Sequence, residues 1–188
     1  RPPRSTLFPS TTLFRSPVVE NIHHGNILRM TIAPGRVDAA VARAAESIAL
    51  ALARHFRLVG VLAVELFLLP DGSLLVNELA PRPHNSGHFT QDACVCSQFE
   101  QHIRAICNLP LCCTHIDRPT VMVNVLGEHL ESLLSQYRDL PPAWKVHLYG
   151  KKHARPGRKM GHINMVGAEV ADAEALMATL APREGVSS

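Results

Sequence analysis

Two glutamates, Glu65 and Glu78, interrupt the β-prone run Gly60–Ala80 (GVLAVELFLLPDGSLLVNELA) where apolar side chains would be expected. Asp71-Gly72 between two such runs is a strong hairpin signal. A two-residue loop pairs Pro70 with Ser73 and, counting outward, Glu65 with Glu78. Directly opposed residues share a sheet face, with Cβ atoms about 4.5–5.5 Å apart. Two carboxylates so placed in an apolar sheet repel each other and lose hydration. A divalent cation between them relieves both costs, and Mg²⁺ favours carboxylate oxygen. The hairpin reads as a metal platform. The plainer alternative is a different register, with one glutamate paired to an arginine.

Directly after Glu78 runs Leu79–His88 (LAPRPHNSGH), stiffened by Pro81 and Pro83. It presents Arg82, His84, Asn85, Ser86 and His88, a dense set of polar groups beside the two acids. Arg82 offers a planar fork suited to phosphate or carboxylate. A second basic loop, Lys151–Lys159 (KKHARPGRK), puts five cations in nine residues. Such a run is usually a solvated face. Pro156-Gly157 between Arg155 and Arg158 instead suggests a shaped turn that captures one phosphate. No aromatic residue interleaves for base stacking, which argues against nucleic acid. Asn21-Ile22-His23-His24 is a third polar cluster. Two anion-seeking loops around a dicarboxylate point to phosphoryl chemistry, with a nucleotide on the metal and a second phosphorylated substrate.

Positioning these groups takes a fold of moderate size. The 188 residues are 46% hydrophobic with a net charge of +3, enough for a real core and too little charge for general nucleic-acid or membrane attraction. No apolar run approaches the ~20 residues of a membrane span. Residues 1–16, a near-repeat of one hexapeptide (STLFPS, TTLFRS), resemble a translated adapter or a disordered tail. Periodicity predicts a strand at Ile27–Ala33, a helix over Arg36–Phe56, the hairpin, and a helix over Asp92–Cys107 with Val95, Phe99, Ile103 and Ile106 on one face. Beyond these come strands at Thr120–Leu126, Lys145–Tyr149 and Gly161–Val166, and helices at Glu128–Tyr137 and from about Ala171 to Leu180. This order argues α+β with mainly antiparallel sheets. A boundary near Leu111–Arg118 would divide residues 17–112 from a small domain over 113–188. The five cysteines, odd in number and without a secretory signal, read as small buried hydrophobes in a reducing, cytoplasmic compartment.

Val76–Gln91 (VNELAPRPHNSGHFTQ) and Arg155–Asn164 (RPGRKMGHIN) closely resemble N5-carboxyaminoimidazole ribonucleotide synthetase, the ATP-grasp ligase of purine biosynthesis. The resemblance covers roughly Pro17 to the C-terminus. It implies the distal lobe of an ATP-grasp domain, an antiparallel sheet with packed helices, plus a small C-terminal α/β domain. It also implies a reaction in which ATP and bicarbonate give carboxyphosphate, which carboxylates 5-aminoimidazole ribonucleotide. Carried over, Glu65 and Glu78 would hold Mg²⁺, while His23, Asn77 and Glu78 would contact ATP. Arg82 would stand beside the acyl phosphate; Lys151, Arg158, His84 and Asn85 would serve the ribonucleotide. The partners implied are small molecules, with no nucleic acid and no membrane, and a homodimer for the full-length enzyme.

This sequence departs from the wider ATP-grasp pattern at Ala80, which cannot ligate where many members carry asparagine. No glycine-rich phosphate loop occurs, and the substrate domain and ATP lid have no counterpart. The chain therefore looks like the C-terminal half of the enzyme and is expected to be inactive alone. The alternatives are a fragment of formate-dependent phosphoribosylglycinamide formyltransferase, and a noncatalytic metal- or anion-binding module. Asn85-Ser86-Gly87-His88 favours the carboxylating family.

Overall fold

The computed structural model describes residues 17–181. Seven strands and five helices follow in chain order. They are β1 Glu20–His24, β2 Ile27–Ala33, α1 Ala39–His55, β3 Ala63–Leu68, β4 Leu74–Ala80, α2 Thr90–Ala93, α3 Gln98–Ile106, β5 Thr120–Leu126, α4 Leu130–Gln136, β6 Trp144–Leu148, β7 Lys159–Val166 and α5 Val170–Leu180. All strand pairs are antiparallel. Five strands form one sheet in the order β1-β2-β5-β7-β6, and β3 with β4 forms a separate ribbon. The α+β expectation holds. The 17–112/113–188 division cuts across this sheet, because β2 from the first stretch pairs with β5 from the second.

Strand β5 is the centre of the molecule, buried at every position. Val121, Val123 and Val125 join Ile163 and Met165 of β7, Leu133 of α4 and Leu176 and Leu180 of α5 in the main core. Met122 faces the opposite side, with Leu28, Phe89 and Ala93. That alternation is the period of a strand with both faces covered. On this second face Asn124, His162 and Asn164 are also buried.

Several local expectations need correction. Residues before Ile27, where no strand is predicted, form β1 and close on β2 through Gly25-Asn26, both with positive φ (58° and 59°). This is the paired left-handed geometry of a primed two-residue hairpin. The expected two-residue turn at Asp71-Gly72 is longer. Leu69 O accepts from Gly72 N–H at 2.9 Å, Leu69 N–H donates to Ser73 O at 2.9 Å, and Gly72 alone has φ +83°. Pro70, Asp71 and Gly72 thus form a three-residue loop, with the Asp71 carboxylate accepting from Ser73 N–H and Oγ–H.

The single helix expected over Asp92–Cys107 is two. Cys94 is extended and bridges to Ile116, and the Ser97 hydroxyl caps a fresh start at Gln98. Its predicted apolar face is largely uncovered, with Val95, Phe99, Ile103 and Ile106 all exposed, as are Phe67, Leu68, Leu75 and Val76 on the ribbon. Nor are all the cysteines free. Cys96 and Cys112 form a disulfide, because the chain after α3 doubles back and Gln101 holds Cys112 by both its N–H (2.9 Å) and its carbonyl (2.8 Å). Cys94, Cys107 and Cys113 are free thiols. Among the described residues no helix is long and apolar enough to cross a membrane.

Ile163, with no exposed surface between β5 and β6, should be costly to truncate. Ile163→Ala is expected to lose about 2–5 kcal/mol in urea unfolding. Phe67→Ser on the exposed ribbon should change stability by less than about 1 kcal/mol; an equal loss at both positions would contradict this division of core and surface.

Candidate functional site

Glu65 lies opposite Glu78, but not for the reason that counting from the turn provides. The three-residue loop sets Leu68 against Leu74 and Leu66 against Val76, which would carry Glu65 to Asn77. A β-bulge at Asn77 adds one residue and restores Glu65 to Glu78. Bulges commonly re-aim a side chain next to a site. Here the bulge residue Asn77 donates its amide to Glu65 Oε2 at 3.4 Å. Glu78 is exposed on a two-stranded ribbon, so loss of hydration is a smaller cost than an apolar sheet would impose.

A groove between α1, the ribbon and the β1-β2 hairpin collects His23, Glu65, Asn77, Glu78, Arg82 and His84 along its wall. Six of the expected site residues therefore share one surface. His84 is half-buried, and its Nδ1 meets Ser86 Oγ at 2.9 Å and accepts from Ser86 N–H at 3.4 Å. That assigns the proton to Nε2, which faces Glu65 Oε1 at 3.6 Å. Burial holds the His84 pKa down, Glu65 opposing and Arg82 assisting. Arg82 keeps most of its fork free, donating one bond to Pro83 O at 3.1 Å.

The other expected residues are placed differently. Asn85 exchanges amide hydrogen bonds with Asn124, at 3.0 and 2.6 Å, and so ties the loop to the sheet. Lys151 and Arg158 lie in the basic loop and do not line the groove. That loop is shaped, as its sequence suggested. Gly157 (φ +74°) donates its N–H to Glu128 at 2.8 Å, and Gly127 has no room for a Cβ against the Arg155 backbone. Arg158 donates to His153 O at 2.8 Å, and Lys151 donates to Lys159 O while resting 5.3 Å over the Tyr149 ring.

Sequence reasoning passed over Lys159. It is half-buried, and burial lowers its pKa against the raising effect of Glu65. Its charge also depresses His84 and His88, which places it among the three. A bulge at Met160, between the pairs Val125–Gly161 and Leu126–Lys159, breaks the alternation of β7. The signal in the sequence is a lysine opening a strand whose other residues carry no formal charge at neutral imidazole. Also unforeseen is a stack of imidazoles. His88 lies 4.7 Å from His162, which lies 4.6 Å from His147, with interplanar angles of 27° and 14°. Asp92 Oδ2 accepts from His147 Nε2 at 2.7 Å and from Asn164 Nδ2 at 2.6 Å, and Tyr149 OH meets His162 Nδ1 at 2.9 Å.

Residues 9–99 match the ATP-grasp domain family, and residues 120–176 match the phosphoribosylaminoimidazole carboxylase C-terminal domain. The N5-carboxyaminoimidazole ribonucleotide synthase of Bacillus subtilis is 53% identical over 150 residues, which is 80% of this chain and 39% of that protein. Over these spans the chain is similar to N5-carboxyaminoimidazole ribonucleotide synthases. Its residues are 45% identical to a phosphoribosylaminoimidazole carboxylase of Ogataea methanolica over 86% of this chain and 31% of that one. The solved ADP complex of an N5-carboxyaminoimidazole ribonucleotide synthetase superposes with a TM-score of 0.83 at 52% identity, covering 88% of this chain and 44% of that one. An Aspergillus clavatus synthase solved with ADP and 5-aminoimidazole ribonucleotide gives 0.79 at 36% identity, covering 89% and 46%. The chain thus spans less than half the length of these relatives, and its fold is that of the part of these ATP-grasp enzymes that it matches.

Burial pushes His88 down to about 4, with Lys159 and the neighbouring rings assisting, and His162 down to about 3, with His88 and His147 assisting. An unfolded imidazole titrates near 6.5. Between these values the unfolded chain binds protons that the folded chain refuses, so this stability is complete above about pH 6.5 and drains away as pH falls toward 4. His84 and His129 act in the same direction. Urea midpoints should therefore fall from pH 7 to pH 5, each ring adding a slope of up to about 1.4 kcal/mol per pH unit. His88→Gln should flatten the fall; a flat wild-type profile would contradict a neutral stack.

Proposed function

We propose that this chain forms part of a ligase that carboxylates 5-aminoimidazole ribonucleotide with bicarbonate at the expense of ATP. The observation that carries the reading is the bulge at Asn77, which brings Glu65, Asn77 and Glu78 to one groove with Arg82 and His84. In this reaction a bicarbonate oxygen takes the γ-phosphoryl group and ADP leaves. The exocyclic amine of the ribonucleotide then attacks the carbonyl carbon of carboxyphosphate, and phosphate leaves.

The donors fit Mg²⁺ in kind, since Glu65 and Glu78 offer hard carboxylate oxygens on paired strands. Those two residues would hold the ion, which when bound neutralises charge on the nucleotide phosphates. His23, Asn77 and Glu78 would contact the nucleotide. Arg82, with its free fork, would stabilise the negative charge that builds as the acyl phosphate forms and breaks. His84 presents an Nε2–H toward the groove, positioned to orient the carboxylate being transferred. Lys151 and Arg158 would grip the ribonucleotide phosphate from the shaped basic loop, with Asn85 supporting the substrate side. A homodimeric complete enzyme acting in the cytoplasm on small molecules is part of the same reading, and the chain alone is expected to show no turnover. The uncovered apolar faces of α3 and the ribbon support that expectation.

A segment exchange tests the proposal. Replacing the matched stretch of the Bacillus subtilis synthase with that of this chain should give an enzyme that hydrolyses ATP only with bicarbonate and ribonucleotide present; formate support instead would sink the reading. In that enzyme Glu78→Gln should reduce ATP turnover at least about a hundredfold. Arg158→Ala should raise the KM for ribonucleotide about tenfold with kcat little changed. An unaltered KM would remove Arg158 from the phosphate site.

A further inference from the structure

Gln98, the first residue of α3, reaches into the loop that carries Arg82 and His84. Its Oε1 accepts from His84 N–H at 2.9 Å, and its Nε2 donates to His84 O at 2.8 Å. The carboxamide thereby pairs with the two backbone groups of His84 as an adjoining strand would. A further bond joins Nε2 to His88 Nδ1 at 2.9 Å. Because Nε2 can only donate, His88 Nδ1 is the acceptor and the ring proton sits on Nε2.

The surroundings are shaped to this carboxamide. A Cβ on Gly87 would lie 2.5 Å from Gln98 Oε1, so the loop backbone closes directly upon it. Thr90 Oγ1 accepts from Gln98 N–H at 2.9 Å and donates to Gly87 O at 2.6 Å, fixing the helix start to the same turn. Residues 84 and 88 are thus both held from the Gln98 side chain, and residue 87 from Thr90 beside it. No other residue type matches these demands. Glutamate lacks the donors, asparagine is one methylene short, and leucine or methionine offers nothing polar.

We propose that Gln98 is a positioning residue for the reaction: it fixes the backbone from which Arg82 and His84 project and sets the tautomer of His88. This rests on the proposed function, in which that loop faces the reacting groups. One turn along α3, Gln101 holds Cys112 by the same paired geometry, at 2.9 and 2.8 Å, on a segment that bears no proposed site residue. It supplies an internal control, equal in chemistry and remote in purpose.

The test uses this chain with ¹⁵N-labelled histidine, its ring nitrogens followed by NMR across pH. Wild type should show His88 as the Nε2–H tautomer, and a wild-type Nδ1–H tautomer overturns the clamp without need of any variant. Gln98→Glu places a carboxylate against Nδ1. It should move the proton to that nitrogen and raise the His88 pKa by about one unit or more. Gln98→Met should shift the His84 and His88 signals, and Gln101→Met should leave both as in wild type. Unchanged rings in folded Gln98 variants, or equal shifts from Gln101→Met, overturn the proposal.

In the segment-exchanged synthase, Gln98→Met should lower kcat roughly ten- to a hundredfold with the KM for ATP little altered, and Gln101→Met should not. Rings that shift while kcat stays constant overturn the positioning role. An exchanged enzyme that is inactive with Gln98 intact counts against the proposed function, and the ring spectra then decide the clamp.

Discussion

Three polar side chains buried on one face of the central sheet govern the position of everything in the groove. Asn124, His162 and Asn164 are each at most 2% exposed, on strands whose other face is the apolar core. A buried polar group left unpaired costs about 1–3 kcal/mol, so these residues depend on the partners they have, with His162 Nε2 and Asn164 Oδ1 left unpaired. Those partners come almost entirely from residues 85–92 together with β6 and its following turn. Asn124 is answered by the Asn85 amide and the Leu28 carbonyl. Asn164 donates to the His88 carbonyl and the Asp92 carboxylate. His162 is stacked between His88 and His147 and bonded to Tyr149. Lifting the loop away would strand several groups at once. A segment short of regular structure is thereby held as firmly as a strand.

Interruption of the strands is the second device. Each of three pairings slips by one residue: at Arg29 beside His23, at Asn77 beside Glu78, and at Met160 beside Lys159. A slip of one residue moves following side chains to the other face. In an unbroken ladder the residues alternate between groove and core; the slips let polar neighbours serve the groove without dragging polar groups into the apolar layer. Gln98 and Gln101 do comparable work from the helix side, each substituting a carboxamide for the peptide that a neighbouring strand would have offered.

The paired acids were legible in the sequence for a reason only half right. Counting from a two-residue turn reaches Glu65 opposite Glu78, but the turn has three residues and the bulge supplies the compensating slip. Two local features of opposite effect cancelled. Turn length and bulges depend on which side chains must be satisfied in three dimensions, and period-two alternation is silent on that. The loop Arg82–His88 was legible because prolines and dense polarity have few other uses. Lys159 and the imidazole stack were not, since β7 brings together residues about 70 positions distant from the loop they meet. Apolar spacing on α3 was legible as a face needing cover. That it stays uncovered here accords with a chain spanning 39% of its Bacillus subtilis relative.

Charge in the groove follows from the same burial. An imidazole in water gains its proton near pH 6.5, which would make a histidine-rich site change charge within the ordinary working range. His84, His88 and His162 are all held below that value, chiefly because the charged ring would lose its hydration. Lys159 stands close enough to push His84 and His88 down further, while Glu65 works the other way on Lys159 itself. The groove thus presents two carboxylates with Arg82, and Lys159 interacts with Glu65, His84 and His88 from beside it. His88 and His162, both held low, also pack face to face at 4.7 Å, as two charged rings would resist doing. The burial that anchors the loop is therefore also what holds the rings of His84, His88 and His162 below the ordinary imidazole range.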